Sequence, residues 1–64
     1  MGAVADLQLL GGPVDDPVAA VTFLSRLPFP KAELLTRIRL FLEEKGLPVT
    51  SQLRAAAGVL GAEL

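Results

Sequence analysis

The chain contains no cysteine and no histidine, and tryptophan, tyrosine and asparagine are missing as well. Without thiols there is no disulfide and no thiolate ligand, and without imidazole only carboxylates remain to hold a metal. The same absences remove the usual general base near neutral pH, the thiol nucleophile and the phenol. No catalytic, cofactor-binding or metal-ligating residue is therefore expected, and the chain is not expected to be an enzyme. Charge of one sign is scarce too: Lys and Arg number 6 against 7 Asp and Glu, a net charge of −1. That balance is too even to imply nucleic acid by itself. Long apolar runs are also missing. No stretch approaches the roughly 20 residues that span a bilayer. The N-terminus lacks the positive flank and apolar run of a signal peptide, and Asp6 stands where a myristoylation motif has Ser or Thr. The expected location is the cytoplasm or another soluble compartment.

Apolar residues, by contrast, are abundant, at 52 % of the 64 positions. A chain this short typically buries only about 60 % of the surface its unfolded form exposes. Small domains often close the stability gap with disulfides, metal or oligomerisation; here disulfides are excluded and a metal would have only carboxylates to hold it. The composition therefore predicts association, as a homodimer or with another protein partner.

Residues 1–14 read as a flexible tail, because Gly11-Gly12-Pro13 interrupts any regular element. The short apolar run Leu7-Gln8-Leu9-Leu10 before it has a second reading, a hook that pairs with a partner's sheet edge. Residues 15–64 read as one small helical domain. The predicted fold is all-α, with three short helices at residues 16–27, 30–45 and 50–61.

Asp16 followed by Pro17 is a start signal for the first helix, a carboxylate cap ahead of a residue whose φ is already helical. Pro28 stops it. Thr22, Ser25 and Arg26 hold only a narrow polar strip, so this helix needs cover on more than one side. Leu27-Pro28-Phe29-Pro30 makes a stiff corner with Phe29 folding back as a plug. In the second helix Leu34, Leu35, Ile38, Phe41 and Leu42 form one apolar stripe, and Leu40 falls off it. Glu33 and Arg37 form an i, i+4 pair. Gly46 suits a left-handed terminus with Leu47 folded back on Leu42, and Pro48 prevents the helix from resuming. Thr50 or Ser51 caps the third helix, whose last turns are weakened by Gly58 and Gly61.

This reading places Phe23, Leu27, Phe29, Leu34, Leu35, Ile38, Phe41, Leu42, Leu53, Ala56 and Leu60 in the core. It leaves Val18, Val21 and Leu24 as the outer contact of the first helix, with Leu40 at the rim. The predicted function is a non-catalytic protein–protein interaction module, a docking, dimerisation or adaptor domain. The carboxylate pairs offer no competing chemistry: Asp15-Asp16 reads as a helix cap, and Glu43-Glu44 diverge by 100° on a helix and read as a solvated face. A membrane-surface role for the first helix finds only Arg26 on its polar side.

One alternative involves nucleic acid. Ile38, Phe41, Leu42, Gly46 and Leu47, with Pro48-Val49 continuing the loop and Leu60 closing the second helix, resemble the helix–extended loop–helix of SAP domains. The likeness covers about a third of the chain. Positions that the family usually fills with glycine and lysine hold Ser51 and Leu53. The resemblance implies phosphate contacts at Lys45 and Arg54. Ala57-Gly58-Val59 is also similar to the turn of a helix-turn-helix, with the recognition helix beginning where the chain stops.

Overall fold

Asp16 begins a helix as its chemistry predicts. In the computed structural model, which describes residues 2–64, its Oδ1 accepts hydrogen bonds from Val18 N (3.2 Å) and Ala19 N (3.3 Å). Two of the amides that a helix start leaves without partners are satisfied in this way. Four α-helices follow one another: α1 Ala3–Leu9, α2 Pro17–Ser25, α3 Lys31–Lys45 and α4 Ser51–Ala56. A 3-10 helix, Gly58–Glu63, closes the chain, and no strand occurs among the described residues. The fold is all-α.

The middle of the molecule matches its pattern closely. The whole stripe Leu34, Leu35, Ile38, Phe41 and Leu42 is buried, and α3 packs against both α1 and α2. At its end Gly46 takes φ 67°, Leu47 N donates to Leu42 O (2.9 Å) and Gly46 N donates to Glu43 O (3.1 Å). This paired closure satisfies carbonyls that the last turn leaves open. Thr50 then caps α4, accepting from Leu53 N at 3.2 Å. The predicted third helix breaks in two: α4 stops at Ala56, and the chain resumes beyond Ala57 as the tighter 3-10 coil. Leu53, Ala57 and Leu60 face inward, so Ala57 takes the core position expected for Ala56, which is half-buried.

Residues 1–14 depart from expectation. Where a tail was predicted, Ala3–Leu9 is a helix, Leu7 is 0 % exposed, and Ala3 and Leu7 belong to the core cluster. The domain boundary at residue 15 falls away with it. A seven-residue helix is too short to persist alone, so its stability is tertiary. Its end repeats the closure of α3: Gly11 takes φ 79°, Gly12 N donates to Leu7 O (2.9 Å) and Gly11 N donates to Gln8 O (3.0 Å). The glycines that were read as a break are the cap of a helix.

The cover that α2 needs comes from its own chain. It packs on α3, on α4 and on the 3-10 helix, and Ala20, Val21 and Leu24 are buried. The radius of gyration is 10.2 Å, close to the ~10.7 Å of a compact domain this size. The accessible surface, 3868 Å², is likewise near the ~3,900 Å² of a folded monomer of this mass. Both values are those of a compactly folded single chain.

Candidate functional site

Helix α1 runs antiparallel along α3. At one end Ala3 N donates to Glu44 Oε2 (2.5 Å) and Val4 N to Glu44 Oε1 (3.4 Å). Further along, Asp6 Oδ2 lies 4.0 Å from Arg37 Nη1. A groove of about 370 Å³ is lined by residues of both helices. Its floor is Ala3, Leu7 and Leu24; Leu10 stands on the α1 wall, and Thr36 and Leu40 stand on the α3 wall. A second, shallower hollow continues it past Leu10 to Leu9, Phe29 and Arg37.

Three of the five exposed large apolar side chains among the described residues lie around this face. Leu9 is 86 % exposed, and Leu10 and Leu40 are each 46 % exposed. Val49 and Val59 are the other large apolar residues left to solvent.

The polar edge is mostly acidic. Arg37 lies between two carboxylates, with Nε 3.8 Å from Glu33 Oε2 as well as Nη1 near Asp6. Its guanidinium also stacks 4.7 Å from the centroid of the Phe29 ring, which adds cation–π attraction. The predicted Glu33–Arg37 pair forms, at a separation too long for a direct hydrogen bond. Asp6 and Glu33 keep about half of their side-chain surface in solvent, 48 % and 47 %, so their charge reaches an approaching ligand. Glu44, expected on a solvated face, is exposed and also caps the positive end of α1.

The four side chains predicted as an outer contact do not share a surface. Val21 and Leu24 are buried, at 0 % and 2 % exposure, because α3 and α4 cover the face of α2 that carries them. Leu24 still reaches the groove, as part of its floor. Val18 is half-buried and lines a separate hollow with Leu47 and Leu53. Leu40 alone is both exposed and on the groove wall. Leu9 and Leu10 were missed, since they lie in the stretch read as a tail. Their signal was the Leu-rich run ending in Gly-Gly-Pro, a helix terminus as well as a break.

The residues of the nucleic-acid alternative are placed differently. Lys45 is exposed at the end of α3, and Arg54 is exposed on α4 with Nη2 donating to the Leu64 carbonyl oxygen (3.4 Å). Arg39 donates to the Glu63 carbonyl, and Lys31 pairs with the Glu63 carboxylate. Three cations thus converge on the chain's own Glu63-Leu64. Among the described residues no three carboxylates gather as a metal site would require, and no helix is long and apolar enough to cross a membrane. Comparison of the chain with family models, with curated proteins and with solved structures gave no match.

Proposed function

We propose that this protein is a non-catalytic association module that docks a protein partner in the α1–α3 groove. The observation that carries the reading is the gathering of Leu9, Leu10 and Leu40 around an apolar floor. Large apolar side chains held at the edge of such a floor lose water on docking and supply most of the affinity. The groove's charged groups face one another or cap a helix and form a rim around that floor.

The test is a titration of the isotope-labelled full chain, followed by NMR, with amphipathic helical peptides and with increasing concentrations of the chain itself. Docking predicts shifts confined to the methyls of Leu9, Leu10 and Leu40 and to the amides beside them. Absence of any saturable shift at these positions would contradict it.

A further inference from the structure

Resting on that docking reading, we infer that the groove selects a short basic amphipathic helix, and not a second copy of this chain. The first reason is charge. Asp6, Glu33 and Glu44 line the groove with Arg37 as the one cation among its lining residues, three carboxylates against one guanidinium. Two copies meeting face to face would bring acidic rim against acidic rim, and like charges across an interface are strongly disfavoured. A helix with lysine or arginine beside its apolar stripe finds complementary charge instead.

The second reason is size. Helix α1 has seven residues, so the groove it borders is on the order of 10 Å long, about two helical turns. That length takes two apolar side chains spaced i, i+3 or i, i+4, which lie ~5–6 Å apart on a helix. Leu10 on one wall and Leu40 on the other then clasp them over the Leu7–Leu24 floor. An occupant of that size buries well under the ~800 Å² per partner of a standard interface. Stable dimers need more, whereas a reversible peptide-in-groove complex does not.

The experiment uses two synthetic helical peptides of about four turns with the same leucine spacing, one flanked by lysine and the other by glutamate. Each is titrated into the labelled full chain, with chemical shifts as the readout. The lysine peptide is expected to shift the Leu10 and Leu40 methyls and to bind about tenfold or more tighter than the glutamate peptide. Salt well above about 0.1 M should narrow that gap. Glu33→Gln should weaken the lysine peptide by about two- to fivefold. Thr36→Lys, an exposed change on the groove wall, sets three carboxylates against two cations and should narrow the preference without touching the core. Equal affinity for the two peptides overturns the inference and leaves the docking reading standing. No shift with either peptide overturns both. Concentration-dependent shifts of these methyls without peptide make a second copy the occupant and overturn the inference.

Discussion

Ala3 N and Glu44 Oε2 are joined by a hydrogen bond of 2.5 Å across 41 positions of sequence. The start of α1 has no side-chain cap of its own, so the carboxylate from the end of α3 takes that role. Glu44→Ala removes the acceptor of two amides and the negative charge at the positive end of the helix. Loss of a cap costs about 0.5–2 kcal/mol. The variant should lose stability in that range in urea denaturation, with faster hydrogen exchange confined to residues 3–12. Glu44→Gln, which keeps an acceptor but not the charge, should fall between it and the parent.

Leu7 separates a packed helix from a tail. Its side chain is fully buried under α1, and truncating such a leucine typically costs about 2–5 kcal/mol. Leu7→Ala should lower the unfolding midpoint accordingly. Leu9→Ala, two positions away and 86 % exposed, should change stability by less than about 0.5 kcal/mol. A neutral Leu7→Ala would mean that residues 3–9 leave the core intact without them.

Gly61 is buried where the 3-10 helix crosses α4, and a β-carbon there would overlap the Arg54 carbonyl oxygen. Because that obstacle is backbone, it cannot rotate away. Gly61→Ala should destabilise by about 1–3 kcal/mol, the usual cost of overpacking. Thermal unfolding followed by circular dichroism measures it.

The readable parts of this fold are those with local causes. Asp16-Pro17, Thr50 and the sequence Gly46-Leu47-Pro48 act on backbone groups within a few residues, and each does so in the structure as its side chain dictates. The α3 stripe was readable because charged residues interrupt it at helical spacing. Helix α2 was not, since apolar side chains cover most of its circumference and give no azimuth. Which of Val18, Val21 and Leu24 faced outward depended on where α3 and α4 came to rest. Helix α1 is short and takes its cap from Glu44, 41 positions away, so no window around it contains its full cause. One clue was present: Leu7 to Pro13 and Leu42 to Pro48 share the spacing Leu-x-x-x-Gly-x-Pro, and both end a helix with the same pair of hydrogen bonds. The groove, made jointly by α1 and α3, was therefore legible only in part, at Leu40 on its wall and Leu24 in its floor.

Calorimetric titration of the double variant Leu10→Asp, Leu40→Asp with the lysine-flanked peptide tests the docking face most directly. Both side chains are 46 % exposed, so the fold should survive, as circular dichroism would verify. The parent is expected to bind, and the folded variant to lose at least about tenfold in affinity, as removal of anchoring apolar side chains does. A folded variant that binds the peptide as tightly as the parent would contradict the docking reading.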